Sequence, residues 1–258
     1  PEKEKQILER FRKEKPDLVL VFPTGASVRA KQQLAGSGIP IVFADAHIEG
    51  AELVQSIKEP GGNITGVRYP GPDLAIKRFE LMLDIKPGVK RLVVPYLSGY
   101  PSVPAQLLAL RSAASKSGVK LVELPVSSAA RLNLELRWLE GKFSPNADAL
   151  LCLAEPLSVS SSTLSTLGAF AARHRLPMGG GFMMCAGENC PIFALTTDSK
   201  AVGRQAALMA DKIFRGARPG SIPVYSGDVV LLVNYRAARA AGLNLSEGLL
   251  SKADEVLR

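Results

Sequence analysis

The sequence predicts an α/β protein made of two doubly wound, parallel-sheet lobes joined by a hinge. Two observations carry that expectation. A phrase recurs about half a chain apart. Asp17-Leu-Val-Leu-Val-Phe22, a short loop and a helical stretch lead to Gly38-Ile-Pro-Ile-Val-Phe43. Asp148-Ala-Leu-Leu-Cys-Leu153, another loop and another helical stretch lead to Arg175-Leu-Pro-Met-Gly-Gly-Gly181. Short apolar runs also alternate with helical stretches along most of the chain, the pattern of right-handed crossovers on parallel sheets. Open parallel sheets bind ligands beyond the carboxyl ends of their strands, so two facing edges would make a cleft that closes on something small.

The elements follow in order. Residues 2–15 place Ile7, Leu8 and Phe11 at helical spacing among charges, which predicts an amphipathic helix. Strands are expected at 17–22 and 39–43, with a helix starting near Ala26 between them. A second helix is expected over 49–58, ended by the breaker Pro60-Gly-Gly62. Residues 64–67 read as a short strand, and Asp73 as the N-cap of a helix bearing Leu74, Phe79, Met82 and Leu83 that stops at Lys86-Pro-Gly88. Beyond it come strand 91–96, helix 103–117, strand 119–125, helix 131–143, strand 148–153, helix 160–174 and strand 177–180. Strand 192–196, helix 199–215, strand 229–233 and terminal helices complete the chain.

The lobes are expected to comprise 1–70 with about 185–224, and 71–184 with about 225–258. A doubly wound sheet usually opens on a strand, whereas this chain opens on a helix. The first lobe is left with 18–22, 39–43, 64–67 and 192–196 for its sheet, so its first strand is expected to lie outside this chain.

Composition narrows the classes. With 258 residues, 47% hydrophobic and 22% charged, the chain has the balance of a globular protein with real cores. No apolar run reaches the roughly 18–20 residues of a membrane span, and the charged Pro1-Glu-Lys-Glu-Lys5 start is not a signal peptide. The net charge of +8 is spread among acids, and aromatics are only 6%, so no nucleic-acid surface is expected. Cys152 sits in an apolar strand as a small hydrophobe, while Cys185 and Cys190 could form a local disulfide in an oxidising compartment. His47 and His174 are the only histidines, too few to make a metal site with those cysteines. No metal and no cofactor is expected.

Several stretches together resemble the substrate-binding proteins of a bacterial ABC-transporter family with the type 1 periplasmic-binding-protein fold. They are Pro16-Asp-Leu-Val-Leu20, Ile39-Pro-Ile-Val-Phe43, Pro60-Gly-Gly-Asn-Ile-Thr-Gly-Val67, Lys77-Arg-Phe-Glu-Leu81, His174-Arg-Leu-Pro177, Gly203-Arg-Gln-Ala-Ala207 and Leu250-Ser-Lys-Ala-Asp-Glu-Val256. They keep the family's order across nearly the whole chain. The resemblance implies a two-lobed, non-enzymatic, monomeric receptor of amino-acid type outside the inner membrane. Such a receptor would hand a small solute to the membrane permease of an ABC importer, anchored or not through a segment upstream of this chain. The chain departs from many relatives at His47-Ile-Glu49, where they carry Asp-Pro-Val, and at Pro23-Thr-Gly-Ala-Ser27, where Gly-Thr-Pro-Ala is common. Both departures fall where ligand would be read, so ligand identity does not carry over.

Candidate ligand-binding residues follow from position. Thr24, Gly25, Ala26 and Ser27 lie between a buried strand and a helix start, where free N–H groups and the helix dipole favour a carboxylate; the plainer reading is an ordinary helix cap. Asp45 is a candidate for a ligand ammonium and His47 for stacking or hydrogen bonding, unless both are simply solvated loop residues. In the second lobe Tyr96, Ser98 and Tyr100 follow one buried strand and Glu155 another. Tyr96 would grip a ligand face and Glu155 pair with an ammonium, or one packs in the core and the other caps a helix. Phe182, after Gly179-Gly-Gly181, reads as a cleft wall or hinge, and Asp198 as a helix cap or a cleft residue. No catalytic constellation stands out: Ser158–Ser162 lacks the Gly-x-Ser-x-Gly elbow. The reading is a receptor for a small zwitterion; the alternative is a ligand-sensing domain of a signalling or regulatory protein on the same fold.

Overall fold

The computed structural model describes residues 2–139 and 148–258. The chain divides into two compact units, 1–70 with 197–229 and 71–196 with 230–258, so it passes from one to the other three times.

The first unit holds a four-stranded sheet ordered β1-β2-β3-β9, formed by β1 (Val19–Val21), β2 (Ile41–Ala46), β3 (Ile64–Arg68) and β9 (Tyr225–Ser226), with every pairing parallel. All six residues of β2 are buried, as expected of a strand covered on both faces. The alternation of a strand then sorts its side chains between two cores. Ile41 and Phe43 join Leu8 from α1 (Glu2–Glu14), Ala30 from α2 (Thr24–Gln33) and Leu34, which caps the end of α2. Val42 and Ala44 join Val202, Ala206, Met209 and Ile213 from α7 (Ser199–Phe214). Gly66 pairs with Phe43 in register, and a Cβ there would sit 2.1 Å from the Phe43 carbonyl oxygen and 2.5 Å from its ring. The glycine is what lets the buried Phe43 ring lie over β3.

The second unit holds a seven-stranded sheet ordered β11-β10-β8-β7-β6-β4-β5. Its strands are β4 (Arg91–Leu97), β5 (Lys120–Val126), β6 (Asp148–Leu151), β7 (Met178–Gly180), β8 (Phe193–Thr197), β10 (Val229–Asn234) and β11 (Glu255–Leu257). One face is covered by α3 (Gly71–Ile85), α4 (Val103–Lys116) and α8 (Tyr235–Ala240), whose Phe79, Met82, Leu107 and Ala238 pack with Leu92 and Val94. The other is covered by α5 (Ala129–Leu139) and α6 (Ser161–Arg173), whose Leu132, Leu136, Leu167 and Phe170 pack with Val93 and Leu150. Fully buried Asp148 is gripped by Arg91 through two bonds of 2.6 and 2.5 Å. No helix among the described residues is long and apolar enough to cross a membrane.

Several expectations change. The helix expected over 49–58 is a run of turns. Gly50 and Glu52 take positive φ of 74° and 49°, which interrupts a helix, while Ala51 and Leu53 are still buried in the core. Asp73 does not cap α3: the helix begins at Gly71 and Asp73 lies within its first turn, where Pro72 has its preset φ and an acid meets the dipole. Residues 192–196, expected in the first lobe's sheet, instead pair with β7 through Phe193 and Ala194 in the larger sheet. Its place at the edge of the smaller sheet is taken by the two-residue β9. The last residues end on β11, not on a helix, with Asp254 exchanging hydrogen bonds with Leu231 before Glu255 pairs with Leu232. The expected continuation of α5 to 143 lies outside the described residues.

Candidate functional site

In the first unit, the carboxyl ends of the parallel strands gather four chain segments. Residues 24–27, expected as a loop ahead of a helix near Ala26, are the first turn of α2 itself. The turn has Pro23 before it and no side-chain cap, so its leading N–H groups depend on some other acceptor. Thr24, Gly25 and Ser27 are buried and Ala26 half-buried. The Ser27 hydroxyl donates back to the Pro23 carbonyl at 2.9 Å and serves the turn. Thr24 Oγ1 accepts the His47 N–H at 3.0 Å, a role that leaves the hydroxyl's own proton to be donated. This bond ties the start of α2 to the end of β2.

Asp45 lies two residues before His47, at a register shift in β2 and with φ of 51°. The bulge re-aims a strand residue that would otherwise follow the pleat. The Asp45 carboxylate is only 8% exposed and accepts the Thr197 hydroxyl at 2.6 Å. Burial pushes its pKa up, and the Thr197 bond works against that rise. The buried His47 ring packs against Tyr69 with centroids 4.8 Å apart and the planes tilted by 35°, and Tyr69 is itself 1% exposed just past β3. Asp198 accepts the N–H groups of Lys200 and Ala201 at the head of α7, and those two bonds, Ala201 foremost, hold its pKa down. It is a helix cap.

In the second unit, Glu155 follows β6 and is 4% exposed. Its carboxylate accepts the Leu157 N–H at 3.0 Å and also bonds the Leu97 N–H at the end of β4. The Ser158 hydroxyl closes the turn by donating to the Glu155 carbonyl. Burial outweighs those bonds and pushes the Glu155 pKa up to about 7. Gln106, fully buried on α4, clasps Ala154 from both sides: its amide donates to the Ala154 carbonyl at 3.2 Å and accepts the Ala154 N–H at 3.1 Å. Gly181 lies against Ala154, where a Cβ would come within 2.8 Å of its Cα. The glycine run is therefore close packing at the ends of β6 and β7, with half-buried Phe182 directly after it.

The Tyr96 side chain is engaged by a different carboxylate. Its ring packs with the α3–α4 core, and its hydroxyl reaches Glu123 at 3.4 Å, a carboxylate held below its usual range chiefly by Arg111. Burial raises the Tyr96 pKa, with the Glu123 charge adding to the rise. Tyr100 packs against the same core, and Ser98 is exposed with its N–H on Val126. Cys185 and Cys190 are bonded. Cys152 is fully buried, its thiol pushed up to about 12 by burial, an inert structural residue. A hollow of about 230 Å³ lies elsewhere in this unit, walled by Ala171, Ala237 and Cys190.

Sequence reasoning missed Thr197, Tyr69 and Gln106. Tyr69 directly follows a strand end and was open to the same positional argument as Asp45. Thr197 and Gln106 act through partners 152 and 48 residues away in the chain, and no local pattern marks them.

Residues 1–257 match the family model for ABC transporter substrate binding proteins. The chain belongs to that family. The chain is 26% identical over 245 residues to a tyrosine-binding protein of Clostridioides difficile (strain R20291), with 91% of its own length covered. It spans 65% of that relative, just under two thirds. Its fold is similar to a crystallised ABC domain from Streptococcus pneumonia in complex with L-Trp, with a TM-score of 0.87 at 22% identity, covering 99% of this chain and 83% of that one. A conserved domain protein of Vibrio cholerae gives 0.81 at 26% identity, covering 98% and 82%. The chain thus has the α/β, two-lobed architecture of type 1 periplasmic binding proteins, and its family is one of substrate-binding proteins, not of enzymes.

Proposed function

We propose that the chain is the extracytoplasmic solute-binding component of an ABC importer, and that its solute is a small zwitterion, an amino acid or a close relative. The observation that carries the solute class is the uncapped first turn of α2 held beside buried Asp45 through the Thr24–His47 bond. Free N–H groups at a helix start suit a carboxylate, and a desolvated carboxylate suits an ammonium far better than an exposed one would. The His47–Tyr69 pair, its rings tilted by 35°, adds aromatic surface with polar edges, which fits an aromatic side chain. The tyrosine-binding relative and the L-Trp complex support this choice. Family membership supports a membrane permease as partner, and binding without catalysis as the role.

The test is a thermal-shift and calorimetric screen of the proteinogenic L-amino acids. A true solute at a hundred times its Kd should stabilise the fold by about 2.7 kcal/mol, a rise of several degrees in Tm. Asp45→Asn should weaken that solute by at least tenfold, roughly the 1.4 kcal/mol equivalent of a lost charge-assisted bond. No response from any amino acid at millimolar concentration would remove the zwitterion reading.

A further inference from the structure

We propose that the hollow between α6 and α8 of the second unit is a second ligand site, fitted to a small aliphatic zwitterion of the size of a branched amino acid. Its volume is about 230 Å³, room for roughly eight waters or for one short branched hydrocarbon with its polar end at the mouth. Buried Ala171, Leu176, Met178, Ile192 and Ala237 line the interior. Both helices present alanine here, Ala171 and Ala172 from α6 and Ala237 and Ala240 from α8, so neither fills the space between them. Loop 185–190 forms another wall and is pinned in place. The Cys185–Cys190 bridge closes it, and the Gly187 carbonyl accepts the amide of fully buried Asn234 at 3.0 Å. The Asn189 carbonyl lies so near Gly168 that a Cβ there would meet it at 1.8 Å. The loop therefore cannot sag inward, and a preformed shape spares a ligand the cost of ordering it.

Two opposite charges stand at the rim. Arg175 and Glu188 both line the hollow and are exposed, and among the described residues neither has an ion-pair partner. Arg175 also sits where its backbone works against it. It follows His174, the cap of α6, and donates its N–H to the Ala172 carbonyl while Leu176 donates to Ala171, with φ of 51°. That is the left-handed position past a helix end, which glycine fills at least cost. An arginine kept there points to a use for its side chain, and a guanidinium suits a carboxylate. Glu188 suits an ammonium. A carboxylate alone would be repelled by Glu188, and an amine alone by Arg175. A zwitterion with an apolar body satisfies the rim and the interior together. The site shares no residue with the strand ends of the first unit.

Met178 lines the hollow, while Met209 lies in a core of the first unit. Methyl NMR of isotope-labelled methionines in the full chain therefore reads this site against an internal reference. L-Leucine at millimolar concentration should shift the Met178 methyl and leave Met209 in place. Isoamylamine and isocaproate, which each lack one of leucine's charged groups, should bind about tenfold more weakly. Arg175→Gly should weaken leucine by about tenfold without weakening isoamylamine, and should raise the Tm because glycine relaxes the backbone there. Ala240→Leu, at an exposed position on the edge of the hollow, should abolish the shift with unchanged circular dichroism. Asp45→Asn should leave it intact. A silent Met178 overturns the proposal, as does equal affinity for leucine, the amine and the acid, or unchanged leucine affinity in Arg175→Gly. Loss of the shift in Asp45→Asn would assign the response to the first unit and overturn it likewise.

Discussion

Asp45 and Glu155 are both carboxylates at strand ends, both nearly out of solvent, and both raised in pKa chiefly by burial. The consequence for stability has a fixed sign. Between pH 4.5 and about 7 the folded chain keeps a proton on Glu155 that the unfolded chain has released, so stability falls as pH rises through that window and levels off above it. The span is worth about 3 kcal/mol at most. Glu155→Gln should remove this slope and raise the Tm above that of the unsubstituted chain at about pH 8, with the two converging near the acid end. Retention of the full slope in the variant would show that Glu155 is ionised in the fold. Thr197→Val should raise the Asp45 pKa further by deleting the hydroxyl bond that favours its charge, and so weaken an ammonium ligand at neutral pH. An NMR titration of Asp45 in both forms checks the direction. Position alone made Asp45 and Glu155 legible in the sequence, because an acid just after a buried apolar run stands at a strand's end. Thr197 was not, since its meaning comes from a chain return that brings residue 197 beside residue 45.

Strands were easier to read than the segments between them. The apolar runs around 41–46, 92–95 and 148–151 are buried on both faces, so a continuous hydrophobic signal identifies them wherever they sit in the sheet, while 19–21 shows the same signal although Leu20 is exposed. Residues 49–58 show how that signal misleads. Buried Ala51 and Leu53 feed a core from loop positions, in a segment where Gly50 and Glu52 forbid a helix by their backbone angles. Short edge strands such as β9 and β11 carry too few residues to show any period. The Pro60-Gly-Gly-Asn-Ile-Thr-Gly-Val67 stretch gains a physical reason in Gly66. Gly66→Ala should push the Phe43 ring from its place and destabilise the first unit by about 1–3 kcal/mol, the usual penalty of overpacking. Urea unfolding measures it, and a loss under about half a kcal/mol would mean that β2 and β3 adjust freely.

Each of the two units buries its own pair of cores, so unfolding of the free protein should depart from a single two-state step. A van't Hoff enthalpy below the calorimetric one is the expected signature, and equality would show that the units melt as one. Arg91→Met strips the bidentate partner from fully buried Asp148. It should cost about 3–5 kcal/mol, lowering the second unit's transition and leaving the first in place.

The return of residues 197–229 to the first unit also sets an order of events at the ribosome. Val42, Ala44 and Val67 are shielded by side chains of α7, which is synthesised only after most of the second sheet. One flank of the nascent amino-terminal sheet therefore stays greasy and uncovered through much of translation, a state prone to aggregation. Holding chaperones would find their target there.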